Sequence, residues 1–195
     1  MNQFELYFKL GLLHIADLSA YDHILFIITL CTIYTFRHFK NLIVLITAFT
    51  IGHSLTLALA AYKIVVIEPN LIEFLIPISI LLTAVYNLFR LNNLNQMKNL
   101  NLNYFLALIF GLIHGLGFSN YFLNLLGKEA DIVMPLFSFN IGLEIGQLII
   151  LLVYMFFLTL AQNVLNIKQR DWVIFLSGIS FGLSFIMALE KAFWF

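Results

Sequence analysis

The stretch FNIGLEIGQLIILLVYMFFLTL, residues 139–160, decides the structural class of this chain. Glu144 is the only charged residue between Asp131 and Lys168, and no glycine or proline interrupts the second half of the stretch. An apolar run of about 20 residues is long enough to cross the hydrocarbon core of a bilayer. The stretch therefore predicts one tilted membrane-spanning helix over 134–160 rather than two shorter helices.

The rest of the chain repeats this pattern of apolar runs between charged residues. The chain has 195 residues, of which 62% are hydrophobic and 10% are charged, so a soluble domain of this length could not bury its apolar surface. We therefore expect an all-α membrane protein with a single transmembrane domain, residues 1–195, and six transmembrane helices. The segment 3–18 is too short and too polar to span, and it predicts a short N-terminal interfacial or re-entrant helix. The predicted spans are 20–36, 41–61, 70–89, 103–123, 134–160 and 172–189.

The distribution of basic residues predicts the orientation of these spans. Loops 37–40, 90–102 and 166–171 each carry two Lys or Arg residues, whereas the alternate loops and the two chain ends carry one each. By the positive-inside rule, both termini are expected outside the cytoplasm. The formal net charge is zero and no basic face is present, which excludes nucleic acid as a partner. Cys31 is the only cysteine, so a disulfide framework and a thiolate metal site are excluded as well.

The first candidate site is the segment HIADLSAYDHILF, residues 14–26. Asp22 stands beside His23, and a carboxylate next to an imidazole fixes the ring tautomer and raises its basicity. Ser19 lies three residues before Asp22, so a helix capping box would also explain this carboxylate without any ligand. His14 and Asp17, spaced three residues apart, are further candidates for the same site.

Three predicted spans each carry one further ionisable residue. An ionisable group at the centre of a membrane helix costs at least ~2.5–3.5 kcal/mol on insertion scales, so it needs an internal partner. In the predicted topology all three lie near the midplane or in the outer half, where they could line one cavity with Asp22 and His23. Imidazole and carboxylate ligands without thiolates suit Ni²⁺, Co²⁺ or Zn²⁺. The residues are His53 in TAFTIGHSLTLALA (47–60), His114 in FGLIHGLGF (110–118) and Glu144 in FNIGLEIGQ (139–147).

Pairs of glycines spaced four residues apart predict close contacts between helices. Such small-xxx-small pairs let the backbone of a neighbouring helix approach closely. A third pair lies among serines in the last span and predicts tight packing there too. The pairs are Gly111 with Gly115, Gly142 with Gly146, and Gly178 with Gly182.

Four of these segments, in this order, resemble the motifs of the HupE/UreJ family of hydrogenase and urease accessory membrane proteins, to which nickel permeation is ascribed. The resemblance implies a multi-pass protein of the bacterial inner membrane with a divalent metal ion as its cargo. It further implies Asp22, His23, His53, His114 and Glu144 as metal ligands, with His14 as the first ligand that an incoming ion would meet. The segments are DHILF (22–26), TAFTIGHSLTL (47–57), FGLIHGLGF (110–118) and FNIGLEIGQ (139–147).

Two classes of function stay open at this point. The first is a divalent-metal permease, with Ni²⁺ ahead of Co²⁺, and the second is a zinc-dependent intramembrane hydrolase built on the same His and carboxylate cluster. A structural or accessory subunit without transport is a third reading. The expected partners are membrane lipid and the metal ion, with a second copy of the chain or a cytoplasmic metallochaperone as further candidates.

Overall fold

The computed structural model describes residues 2–18, 21–65, 67–93, 100–127 and 132–192, and these residues form helices and turns with no strand. Two short 3₁₀ helices, Phe36–His38 and Leu91–Asn93, accompany the α-helices. The seven α-helices in this part of the chain are α1 (Gln3–Ile15), α2 (Asp22–Cys31), α3 (Phe39–Ala61), α4 (Pro69–Phe89), α5 (Leu100–Leu126), α6 (Val133–Asn163) and α7 (Gln169–Glu190).

The five helices α3 to α7 are long and apolar enough to cross a membrane. They correspond to the second to sixth predicted spans, so an all-helical, multi-pass membrane protein is confirmed. The longest helix, α6, has 31 residues and contains the stretch 139–160 without interruption, as its sequence predicts.

The first predicted span, 20–36, differs from the structure. The helix α2 has only 10 residues, which gives a length of about 15 Å, half the thickness of the hydrocarbon core. It ends because the backbone N–H of Thr32 turns to the carbonyl of Thr29, while the Thr32 hydroxyl donates to Ile28. The predicted number of six transmembrane helices is therefore not confirmed by the described residues, which contain five helices of sufficient length.

The helices α1 and α2 instead follow one another along α6. Gly11 of α1 packs on the first third of α6, where a Cβ added to Gly11 would lie 2.0 Å from the carbonyl oxygen of Phe139. At the other end, the hydroxyl of Tyr154 in α6 donates to the carbonyl of Cys31, the last residue of α2, at 3.4 Å. A Cβ on Gly142 of α6 would likewise meet Phe8 of α1, so α1 runs alongside α6 over more than one turn, as a re-entrant helix would.

The start of α2 bears on the capping box considered for Asp22. Ser19 lies outside the described residues, and the residue before the first turn is Tyr21, whose side chain makes no cap hydrogen bond. Asp22 itself accepts from the backbone N–H of His23 at 2.9 Å.

Glycines set two close helix contacts among the described residues. In the pair α3 and α5, a Cβ added to Gly52 would lie 2.2 Å from the carbonyl oxygen of Leu108, and one added to Gly111 would lie 2.2 Å from that of Phe49. The pair α1 and α6 is equally close, since a Cβ on Gly142 would lie 2.0 Å from the carbonyl oxygen of Phe8. The close contacts predicted at the first two glycine pairs are confirmed.

The close packing predicted for the last span from its glycines and serines occurs at the serines and not at the third glycine pair. Nothing lies within 4 Å of a Cβ added to Gly178 or Gly182, and Gly178 is on the exposed side of α7. The buried side of this helix carries serines instead, and the Ser180 hydroxyl accepts from Thr29 of α2 at 2.7 Å.

Candidate metal centre

Four histidines from four helices meet where α1 ends and α2 begins. His14 lies in the last turn of α1, and His23 is the second residue of α2. Their ring centroids are 4.6 Å apart. The ring of His53 in α3 lies 5.7 Å from that of His14, and the ring of His114 in α5 lies 5.1 Å from that of His23. The structure thus brings together the four histidines that the sequence predicts as ligands.

Three of these residues present ring nitrogens at a spacing close to that of a metal site. One nitrogen each of His14, His23 and His53 lies within 4.8 Å of the others. In a tetrahedral site with metal–nitrogen bonds of about 2.0–2.1 Å, ligand nitrogens are about 3.3 Å apart. The three nitrogens would therefore have to approach one another by up to about 1.5 Å to hold an ion in this geometry.

Each of the four histidines has at least one buried ring nitrogen without a hydrogen-bond partner. An unsatisfied buried polar atom costs about 1–3 kcal/mol, so a group of such atoms in one place indicates that a ligand belongs there. His53 and His114 are completely buried, which removes water as an easy substitute partner. The buried, unpartnered atoms are Nε2 of His14, Nε2 of His23, Nδ1 and Nε2 of His53, and Nδ1 of His114.

The second nitrogen is held in place on two of the rings. Nδ1 of His23 lies 3.0 Å from Oδ1 of Asp22, and Nε2 of His114 lies 3.1 Å from the hydroxyl oxygen of Ser79. These contacts fix the ring orientations and leave the opposite nitrogens for an ion, as is usual around metal-ligating histidines. Asp22 thus orients the ring of His23, and Ser79 orients the ring of His114.

In the sequence, Ser79 forms a polar seam with Thr83 and Asn87 on the predicted third span, a pattern more typical of hydrogen bonds between helices than of a ligand set. Ser79 is therefore not among the predicted ligands. Serines in membrane helices often donate to their own backbone, and the Ser79 hydroxyl also lies 2.6 Å from the carbonyl of Ile76. The contact with His114 depends on the packing of α4 beside α5, which the sequence of one helix does not encode.

The three carboxylates predicted as ligands do not belong to this group among the described residues: Asp22 pairs with His23, and the other two have different surroundings. Asp17 is exposed in the connection after α1. Glu144 in α6 accepts from the hydroxyl of Thr47 at 2.6 Å, and its Oε2 is buried without a partner. Three residues further along α6, Gln147 accepts from the hydroxyl of Thr50 at 2.7 Å. Glu144 therefore belongs to a polar contact between α3 and α6.

Phenylalanines close one side of the histidine cluster. Phe26, Phe49 and Phe110 stand three or four residues from His23, His53 and His114 on their respective helices. The ring centroids of Phe26 and Phe49 are 5.1 Å apart, and that of Phe26 lies 5.8 Å from that of Phe110. We call these three rings the phenylalanine layer. The layer separates the histidines from the end of the molecule at which α2 ends and α3 begins.

A cavity of about 240 Å³ reaches the histidines from the opposite side. Its lining includes His14, Asp22, His23 and His114. It also includes Glu73, in the first turns of α4, and Lys191, the residue that follows α7. The cluster is therefore accessible from one end of the helix bundle and blocked by aromatic rings toward the other.

Comparison with known proteins identifies the family to which this arrangement corresponds. The family model described as HupE / UreJ protein matches residues 1–193, which include every helix of the site. No curated protein and no solved structure matches the chain.

Proposed function

This chain belongs to the HupE/UreJ family, and from that premise we propose that it binds and transports a divalent transition-metal ion, with Ni²⁺ ahead of Co²⁺. The observation that carries the proposal is the set of unpartnered ring nitrogens on four clustered histidines that are buried or half-buried, three of which line one cavity. Neutral imidazoles suit Ni²⁺, Co²⁺ and Zn²⁺, and the one cysteine, Cys31, is buried in the apolar core.

The broken helix α1–α2 supplies favourable electrostatics for a cation. His14 lies at the C-terminal end of α1, which carries the negative end of the helix dipole. Asp22 lies in the first turn of α2, where its carboxylate offsets the positive end of that helix. Discontinuous helices that place their ends at a central site are a recurring device of transporters.

Transport requires a route past the phenylalanine layer. In the described conformation an ion would enter through the cavity and exchange its water for imidazole nitrogens. It would stop at the histidines, because Phe26 and Phe49 lie behind them. Release to the other side requires these rings to part, and a shift of α2 relative to α3 would part them because the two rings belong to these two helices. The described conformation then corresponds to a state that is closed toward the predicted cytoplasmic side.

Metal analysis of purified protein tests the binding step. We expect the wild-type chain to retain about one equivalent of Ni²⁺ after dialysis and His53→Ala and His114→Ala to lose most of it, because each removes a buried ring nitrogen. His38→Ala is the matched control, since His38 lies outside the cluster and its ring contacts Thr35. Equal nickel content in all four proteins would contradict the assignment of the site.

Uptake by cells tests the transport step separately. Cells that express the wild type should accumulate radioactive nickel faster than cells that express His53→Ala at the same protein level. The His38→Ala protein should match the wild type. Metal binding without any uptake would overturn transport and leave the binding site standing.

One observation favours the second candidate, a zinc-dependent intramembrane hydrolase. The cavity ends at the histidines, as a catalytic pocket would, and the phenylalanine layer lies behind them. A catalytic zinc site needs three protein ligands and an open position for water. Retention of Zn²⁺ in preference to Ni²⁺, absence of uptake, and metal-dependent cleavage of an ester or peptide substrate would together establish this function.

A further inference from the structure

The outer end of the cavity carries an ion pair that the metal site itself does not use. Nζ of Lys191 lies 2.7 Å from Oε2 of Glu73, and both side chains are about half exposed, at 51% and 49%. Both residues line the same cavity as His14, Asp22 and His23. An ion that enters this cavity from solvent therefore passes the ion pair before it reaches the histidines.

Lys191 and a metal ion would compete for the same carboxylate. Carboxylate oxygens are good ligands for hydrated divalent cations, whereas an ammonium group at 2.7 Å occupies the oxygen that such a cation would bind. Ion pairs exposed to this degree contribute little to stability, so the contact between Glu73 and Lys191 opens readily. Asp22 provides a second carboxylate, next to His23, for an ion that has passed Glu73.

We propose that Glu73 is the outer capture site for the hydrated divalent ion and that the ammonium group of Lys191 occupies this site when no ion is bound. The ion pair keeps the carboxylate of Glu73 in the mouth of the cavity until a cation displaces the ammonium group. This inference rests on the proposed binding of a divalent metal ion at the histidines. It gives a role to two residues that take no part in the histidine site itself.

A purely structural tie between α4 and α7 makes a different prediction from a capture site. If the pair only ties these helices together, removing either partner has the same effect, because either change breaks the same contact. If Glu73 captures the ion, removing the carboxylate slows metal binding, whereas removing the ammonium group frees the carboxylate and speeds binding. The two variants must therefore change the association rate in opposite directions.

The experiment mixes the purified protein with Ni²⁺ in a stopped-flow instrument. An indicator dye that reports free nickel measures how fast the protein takes up the ion. We expect Glu73→Gln to lower the association rate constant about three- to tenfold and Lys191→Met to raise it about two- to fivefold. The amount of nickel bound at equilibrium should stay the same. Glu68→Gln and Lys63→Met are charge-matched controls at exposed positions outside the cavity lining and should stay within about twofold of the wild type.

The outcomes separate the capture site from the metal site. Normal nickel binding by the wild type, with both variants unchanged or changed in the same direction, overturns the capture site alone. Failure of the wild type to bind nickel overturns the proposed function together with the capture site. If Glu73→Gln does not fold, Glu73→Asp, which keeps the carboxylate, must bind nickel at nearly the wild-type rate, and Lys191→Met must still accelerate binding.

Discussion

Replacing Gly111 by alanine should separate α3 from α5 and weaken both the fold and the metal site. A Cβ at this position would lie 2.2 Å from the carbonyl oxygen of Phe49, 3.0 Å from its carbonyl carbon and 3.1 Å from the backbone nitrogen of His53. All three atoms belong to the backbone of α3. No side chain can rotate away to make room, so the helices themselves must move.

The size of the effect follows from these distances. Carbon and oxygen atoms in close contact are about 3.3–3.6 Å apart, so the two backbones must separate by about 1 Å near Phe49. Overpacking of this kind lowers the free energy of unfolding by about 1–3 kcal/mol, and the better helix propensity of alanine offsets up to about 1 kcal/mol of this loss. We expect a net loss of about 1–2 kcal/mol in the free energy of unfolding.

The same displacement should reach the metal site through His53. Its ring would move relative to those of His14 and His23, which belong to other helices. Metal–ligand bonds tolerate deviations of only about 0.2 Å, so a shift of about 1 Å should lower nickel affinity about tenfold or more. Gly111→Ala thus tests whether close helix packing holds the ligands in position.

Thermal unfolding in detergent and equilibrium dialysis against Ni²⁺ measure the two effects. Gly178→Ala is the matched control, because nothing lies within 4 Å of a Cβ at Gly178 and the residue is exposed. It should be neutral or stabilising by up to about 1 kcal/mol and should bind nickel normally. The reasoning is refuted if Gly111→Ala matches Gly178→Ala in both unfolding temperature and nickel affinity.

Two further predictions concern the residues around the histidines. Asp22→Asn should lower nickel affinity about 10- to 100-fold in equilibrium dialysis, because the charge beside Nδ1 of His23 is lost, whereas Asp17→Asn, at an exposed position, should leave it unchanged. Glu144→Gln should keep the nickel content of purified protein within about twofold of the wild type, because an amide oxygen still accepts from Thr47 and affinity follows the ligands and their hydrogen-bonded neighbours; loss of the metal would instead place Glu144 among the ligands.

The spans and the histidines could be predicted from the sequence because each depends on a strong local signal. Hydropathy over about 20 residues defines a spanning helix, and an imidazole in such a run is costly without a partner. The glycine pairs show the limit of this reasoning. Gly111 and Gly178 occur in the same four-residue pattern, yet one faces a neighbouring backbone and the other faces away from the protein. The spacing is identical, and only the position of the next helix distinguishes them.

The packing of α1 beside α6 could not be predicted for a related reason. Glu5 and Lys9 give α1 the composition of a surface helix, and these two side chains pair with each other at 3.0 Å. What brings α1 alongside α6 is the mutual fit of Gly11 with Phe139 and of Gly142 with Phe8. Each glycine alone is uninformative, because the contact depends on two segments that are far apart in sequence.

The separation of α1 from α2 is what makes the metal site possible. In one continuous helix, the nine-residue step from His14 to His23 would cover about 13.5 Å along the axis, whereas the observed ring centroids are 4.6 Å apart. Three of the four histidines then lie on both sides of a boundary between two closely packed helix pairs, and the fourth, His23, lies on α2. The pair α3 and α5 carries His53 and His114, and the pair α1 and α6 carries His14.

Backbone contacts at glycines make each of these pairs difficult to deform, whereas movement between the pairs breaks side-chain hydrogen bonds from α3 to Glu144 and Gln147 of α6. An ion bound by His14 and His53 would tie the two pairs together, and sliding one pair past the other would pull its ligands apart. Release of the ion would then follow from the same movement that separates the phenylalanine layer, since Phe49 belongs to one pair and Phe26 to the short helix beside the other. Alternating access by rocking of rigid helix units about a central site is the mechanism that this division predicts.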